Sequence, residues 1–169
     1  PLDPTGTEIR LIRIEPSQQF SAQVRCSIFK VRLEDVPTYY ALSYCWGDQS
    51  NPICIRLNGC LFPVGINLYL ALRRLRSLAG DVPAVYWVDA VCIDQKTDEE
   101  RGHQVSMMRN IYEGANEVSV WLGEAAQGSM DFLKQPALFG QRSWKAIRDL
   151  FLRAWWNRVW IYQEIVVSR

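Results

Sequence analysis

The chain has 169 residues, a formal net charge of +1, an apolar share of 49% and a charged share of 22%. That length suits one domain with a real hydrophobic core, and the near-neutral charge excludes a global field that draws nucleic acid or anionic membrane. No apolar run reaches transmembrane length and no secretory signal is visible.

In chain order, Glu8 to Ile14 is apolar-rich, and Val24, Cys26 and Ile28 alternate with polar neighbours, so both stretches read as strands. Tyr39 to Asp48 is nearly continuous in bulky residues and stops at Gly47-Asp48, the pattern of a strand buried on both faces. Ile53, Ile55 and Leu57 alternate, then Asn58-Gly59 precedes Cys60-Leu61-Phe62. Asn-Gly between short apolar runs signals a hairpin, because both central turn residues need positive φ. Asn67 is placed to cap a helix whose Leu68, Ala71, Leu72, Leu75 and Leu78 share one side and whose stop is Gly80. The basic cluster Arg73-Arg74-Leu75-Arg76 reads as that helix's solvated face.

Ala84 to Asp89 is a short apolar run ending in an acid, as an internal parallel strand delivers a polar residue to the carboxyl edge of a sheet. Thr97 and Glu100 have capping-box spacing and open a helix with Val105, Met108, Tyr112 and Ala115 along one stripe, ending near Gly114. Val118, Val120 and Leu122 alternate as a further strand stopped by Gly123. Residues 124–142 read as a variable connection. Ser143 opens another helix with Ile147, Leu150 and Phe151 inward, and Asn157 is placed to cap a last one carrying Ile161 and Ile165. Alternating strands and helices define an α/β fold, a mainly parallel central sheet flanked by helices, with the N-terminal hairpin strands as additions. No internal domain boundary is expected within 1–169.

Five cysteines make an odd count without a CxxC pair, and His103 is the sole histidine, so zinc-site spacing and a disulfide framework are absent. The thiols read as small buried hydrophobes in a reducing, cytoplasmic compartment. There is no GxGxxG, no Walker loop and no nucleophile elbow. A Cys92–His103 pair is disfavoured by the apolar setting of Cys92.

Three segments can carry chemistry: Ser43-Tyr44-Cys45-Trp46-Gly47-Asp48, Asp89-Ala90-Val91-Cys92-Ile93-Asp94-Gln95, and Trp155-Trp156-Asn157-Arg158-Val159-Trp160-Ile161-Tyr162-Gln163-Glu164. The first two follow strands, and ligands of open α/β sheets sit outside the carboxyl ends of strands. Structural roles compete at each point: Asp48 shaping a turn, Asp89 pairing Arg101 or Arg158, Gln95 bonding loop backbone, and Glu164 pairing Arg158 or Arg101.

Tyr40-Ala41-Leu42-Ser43-Tyr44-Cys45-Trp46-Gly47 resembles the first hallmark of the fungal heterokaryon-incompatibility (HET) domain. The second hallmark is similar to Trp87 through Gln95, then Glu100-Arg101, Gln104-Val105, Met108, Ile111-Tyr112, Ala115 and Trp121-Leu122-Gly123. The third is similar to Arg153, Trp156, Arg158-Val159-Trp160 and Gln163-Glu164. The hallmarks span residues 39–166 in order. The resemblance implies a cell-death signalling domain of fungal allorecognition, part of a longer protein; a start at Pro1 rather than Met fits this.

HET domains in turn look remotely like TIR domains, which implies a TIR/flavodoxin-like fold. TIR sequences open with a buried strand ending in Ser-Tyr, as Ser43-Tyr44 does here, and carry a later Trp-to-Glu spacing matched by Trp160 and Glu164; Ile161 stands where TIR domains often have Cys. That resemblance implies NAD glycohydrolase activity with Glu164 as the key carboxylate. Ser43, Tyr44, Trp46, Gly47, Asp48, Asp89, Asp94, Gln95, Arg101, Arg158 and Trp160 would then line or support the NAD site. NAD or a related nucleotide would be a substrate, so neither a cofactor nor a metal is called for. Partners implied are further copies of the domain and other domains of the longer protein, with no nucleic acid and no membrane. The alternative is a non-catalytic self-assembly or partner-binding module.

Overall fold

The computed structural model describes residues 2–3, 6–124 and 147–158. Among the described residues, seven strands form one sheet: β1 (Glu8–Ile14), β2 (Arg25–Arg32), β3 (Tyr40–Tyr44), β4 (Ile53–Leu57), β5 (Cys60–Val64), β6 (Ala84–Trp87) and β7 (Glu117–Trp121). Their order across the sheet is β5-β4-β2-β1-β6-β3-β7. Helix α1 (Ile66–Leu78) lies between β5 and β6 in sequence; the single turn α2 (Asp89–Cys92) and helix α3 (Asp98–Gly114) lie between β6 and β7.

The sheet is mixed rather than mainly parallel. β6, β3 and β7 run parallel, as do β2 and β4, while β1 is antiparallel to both β2 and β6, and β4 is antiparallel to β5. The N-terminal strands are therefore not additions to a finished sheet. β1 lies in its middle and buries Ile9, Leu11, Ile12 and Ile14, which is why its sequence is apolar on both faces. β3 is likewise internal, with Ala41 through Tyr44 all buried between β6 and β7.

The Asn-Gly turn forms as its chemistry requires. Asn58 has φ +49 and Gly59 φ +80, joining β4 to β5. Asn58 also ties the hairpin to β2, its amide donating to the Cys26 carbonyl at 2.9 Å and its Oδ1 accepting from Ile28 N at 3.0 Å. Helix α1 buries Leu68, Ala71, Leu72 and Leu75, and Gly80 follows it at φ +65. Helix α3 buries Gln104, Met107, Met108, Ile111 and Tyr112. Both stripes join the strands in one contiguous apolar core.

Several local expectations change. Asn67 lies inside α1, which starts from Gly65, and its side chain is used elsewhere. The capping box does not form: Thr97 Oγ1 donates to Asp94 instead, and Glu100 turns inward to Arg10. Arg76, read as part of a solvated face, is 2% exposed; its guanidinium donates to the carbonyls of Gln19, Phe20, Ala22 and Gln23 at 3.0–3.2 Å. Arg73 stacks over the Phe20 ring, 4.3 Å from its centroid. Residues 147–151 are helical, but Phe151 is exposed and packs on Trp156 rather than inward. Asn157 falls within a 3-10 turn, Ala154–Asn157. Ser143, the connection from residue 125 to 142, and the helix expected after Asn157 lie outside the described residues.

Of the cysteines, Cys26 and Cys92 are buried, whereas Cys54 and Cys60 are exposed. Burial pushes both buried thiols up to about 12, so neither is a thiolate at neutral pH. His103 contacts the Gly6 carbonyl at 2.9 Å.

Candidate functional site

The parallel strands β6, β3 and β7 end on the same edge of the sheet, and β3 and β6 each pass into a segment that carries polar side chains. After β3 the chain turns through Cys45, Trp46 and Gly47, the last at φ +64. Side chains from elsewhere hold this turn. Asn67 Nδ2 donates to the Cys45 carbonyl at 2.6 Å, and Gln49 Nε2 to that of Trp46 at 2.6 Å. A Cβ at Gly65 would stand 2.4 Å from the Gln49 amide, so only glycine leaves room for that contact. Asn67 Oδ1 also accepts from Trp121 Nε1 at 2.8 Å, which links the ends of β3 and β7.

After β6, Val88 leads into α2, and Asp89 stands in its first turn. The Asp89 carboxylate accepts from Trp46 Nε1 at 2.8 Å and from the Ala90 amide at 2.7 Å, and it also bonds the Tyr44 phenol. Burial first, then the Asp89 charge, holds that phenol well above its ordinary range, so Tyr44 is a permanent donor. Gln95 Nε2 donates back to the Asp89 carbonyl at 3.0 Å. Beneath this segment, Glu100 takes both guanidinium nitrogens of Arg10, at 2.5 and 2.9 Å, and accepts from the Asp94 amide at 2.8 Å. Arg10 also donates to the Cys92 carbonyl at 2.9 Å. One part-buried ion pair thus fixes the chain from Cys92 to Asp94.

The third contribution comes from the segment around the 3-10 turn. Trp155 Nε1 and Arg158 Nη1 both donate to Ser43 Oγ, at 2.7 and 3.1 Å. Arg153 Nη1 donates to the Leu122 carbonyl at 2.6 Å, beside Gly123 at φ +97. Segments separated by more than 110 residues therefore meet at the carboxyl end of β3.

Between them lies a cavity of about 400 Å³. Its walls are Trp46 and Gly47 on one side, Asp89, Ile93 and Gln95 on a second, Arg101, Val105 and Met108 from α3, and Arg158. That volume lies within the range of small-molecule sites, and a mostly apolar lining with few polar groups is their usual composition. Trp46, 40% exposed, offers a ring face while its indole nitrogen is tethered to Asp89. Two guanidinium groups at one cleft suit bidentate contact with phosphate or carboxylate. Arg101 also pairs with Asp98 at 2.7 Å.

Of the residues singled out in the sequence, Trp46, Gly47, Asp89, Gln95, Arg101 and Arg158 line the cavity together. Ser43 and Tyr44 are buried and act on it through their hydrogen bonds to Arg158 and Asp89. Asp48 and Asp94 do not line it. Asp48 is exposed and accepts from the amide and hydroxyl of Ser50, both at 2.8 Å; Asp94 accepts from Lys96 N and Thr97 Oγ1, both at 3.0 Å. These turn bonds lower both carboxyl pKa values. Trp160 and Glu164 lie outside the described residues. Sequence reasoning missed Asn67 as a clip and the Arg10–Glu100 pair. Among the described residues no cluster of His, Cys, Asp or Glu could hold a metal ion, and no helix is long and apolar enough to cross a membrane.

These features define an α/β domain with a small-molecule-sized cleft at the carboxyl edge of its parallel strands. Residues 39–164 match the family model described as heterokaryon incompatibility protein (HET). The chain belongs to this family. It is 35% identical over 159 residues to heterokaryon incompatibility protein 6, OR allele, of Neurospora crassa, an alignment covering 88% of this chain and 23% of that relative. The chain thus spans about a quarter of the length of the curated relative it matches. No solved structure matches it.

Proposed function

We propose that this domain acts in heterokaryon incompatibility as a cytoplasmic cell-death effector that cleaves the nicotinamide–ribose bond of NAD, with a TIR/flavodoxin-like arrangement of its parallel strands. The observation that carries this reading is the convergence of Trp46, Asp89, Arg101 and Arg158 on one cleft at the carboxyl edge of β3 and β6. The Trp46 face takes a planar ring of the dinucleotide, and Arg101 and Arg158 take its pyrophosphate. Asp89, bonded to Trp46, Tyr44 and Ala90, keeps the ring and the cleft wall in place.

The chemistry needs little machinery. The bond from ribose C1′ to the pyridinium nitrogen breaks with both electrons going to nitrogen, so nicotinamide leaves neutral and needs no general acid. The ribosyl cation left behind is stabilised by a carboxylate in a poorly hydrated site, and water adds to C1′ with loss of a proton. Glu164, six residues after Arg158 in the sequence, is assigned that carboxylate. Concentrated or assembled protein is expected to consume NAD, and Glu164→Gln to reduce turnover by about 100-fold or more while leaving the thermal unfolding midpoint within about 2 °C. NAD loss followed by chromatography decides this; equal turnover by the two proteins would sink the assignment.

A second reading, a non-catalytic module working by self-association or by binding other domains of a longer protein, is favoured by the exposed apolar side chains of Phe151 and Leu152. Under it, Glu164→Gln leaves cell killing intact while Phe151→Ser with Leu152→Ser abolishes it.

A further inference from the structure

We propose that Ser43 is a positioning residue, a latch that docks the segment from Ala154 to Arg158 onto the end of β3 and thereby sets the Arg158 guanidinium on the cleft. Ser43 is the polar residue in a strand otherwise made of Tyr40, Ala41, Leu42 and Tyr44, and it is fully buried in register with Val120 of β7. A hydroxyl in that setting is costly unless bonded. Here it accepts from Trp155 Nε1 and Arg158 Nη1, which occupies both of its lone pairs. Ser43 is therefore not the group that meets a ligand. Its partner Trp155 is 3% exposed, so the junction is closed to water, whereas Arg158 is part-buried and reaches the cavity wall. The two bonds fix different things. The indole bond anchors the backbone turn, and the guanidinium bond sets the direction of Arg158.

The turn carries its own reporters, because Trp156 N donates to the Arg153 carbonyl at 3.2 Å and Arg158 N to that of Trp155 at 3.3 Å. Hydrogen exchange is compared by NMR in the wild-type domain, Ser43→Ala and Ser43→Thr, the last keeping the oxygen. Ser43→Ala is expected to speed exchange at Trp156 and Arg158 by roughly tenfold while the amides of β3, β6 and β7 keep their protection, and Ser43→Thr to restore it. Unchanged exchange at the turn, or an equal rise across the sheet, overturns the latch. Should Ser43→Ala fail to fold, Trp155→Phe removes the indole donor from the other side and must give the same local acceleration.

The effect on ligand rests on the NAD reading and is measured separately. Ser43→Ala and Arg158→Ala are each expected to weaken NAD binding by roughly tenfold, and the double variant to weaken it no further, because Ser43 acts through Arg158. Additive losses contradict the positioning role. If the wild-type domain binds no NAD, the functional reading fails, and exchange at the turn still decides the latch.

Discussion

Replacing Glu100 by glutamine is expected to cost the domain about 3 kcal/mol and to remove much of its acid sensitivity between pH 4.5 and about 2. The bond from Arg10, with smaller help from the amides of Asp94 and Leu2, lowers the Glu100 carboxyl from its ordinary 4.5 to about 2. A carboxyl depressed in the folded state stabilises it fully above the unfolded value, and that stabilisation is lost as pH falls through the folded value. The side chains are only 15% and 10% exposed, so solvent screens the pair weakly. Glutamine keeps the shape but leaves the Arg10 cation without its counter-charge, which is why the loss exceeds that of a surface pair. The pair also holds the Asp94 amide and, through Arg10, the Cys92 carbonyl. Loosening it therefore disturbs the segment that carries Asp89 and Gln95. Urea unfolding from pH 7 down to pH 2 tests this: the wild-type and variant curves should converge at low pH, and parallel curves would show that Glu100 is not the titrating group.

Arg76→Met is expected to destabilise the domain by roughly 2–3 kcal/mol although Arg76 touches no part of the cleft. Its guanidinium supplies the donors for four carbonyls between Gln19 and Gln23, so one side chain of α1 organises the loop that leads into β2. Methionine fills the space but donates nothing, and those carbonyls must find water or move. Arg76→Lys should rescue little, since an ammonium is a compact charge with three donors and no planar fork. A shift in the urea midpoint worth less than about 0.5 kcal/mol would mean that the loop satisfies its carbonyls without Arg76.

The elements that announce themselves in the sequence do so through local chemistry. Asn58-Gly59 demands a turn with two positive φ values, and β3 is bulky on both faces because strands flank it on either side. What stays hidden depends on partners far apart in the chain. Nothing near Glu8 to Ile14 says that this strand lies between β2 and β6, antiparallel to both, so the mixed sheet is not readable from alternation alone. Glu100 looked like a capping-box acid because Thr97 stands three residues before it. It is instead the first member of the buried stripe Glu100, Gln104, Met108 and Ile111, and only Arg10, 90 residues away, makes its burial tolerable. Arg76 was hidden in the same way: three arginines in four positions read as a solvated face, yet the Leu68, Leu72, Leu75 stripe turns Arg76 inward.

At the cleft, the strand-end rule points to Trp46, Gly47, Asp89 and Gln95, which follow internal parallel strands and line one cavity. It said nothing to separate Asp89, which faces Trp46 and the cavity, from Asp48 and Asp94, which close local turns. All three acids lie near strand ends or turns, and only the fold decides which carboxylate points where. Asn67 escaped notice for a similar reason. A cap was the common role for an asparagine there, and its use as a clip between Cys45 and Trp121 depends on two other strands.

The most direct test is to map NAD on the protein by NMR, using Glu164→Gln so that the dinucleotide persists. The account predicts shifts centred on the Trp46 indole and on the amides of Gly47, Asp89, Gln95, Arg101 and Arg158, with the distant β4–β5 hairpin unmoved. Shifts centred on another surface, or none at NAD concentrations that the wild-type protein consumes, would contradict it.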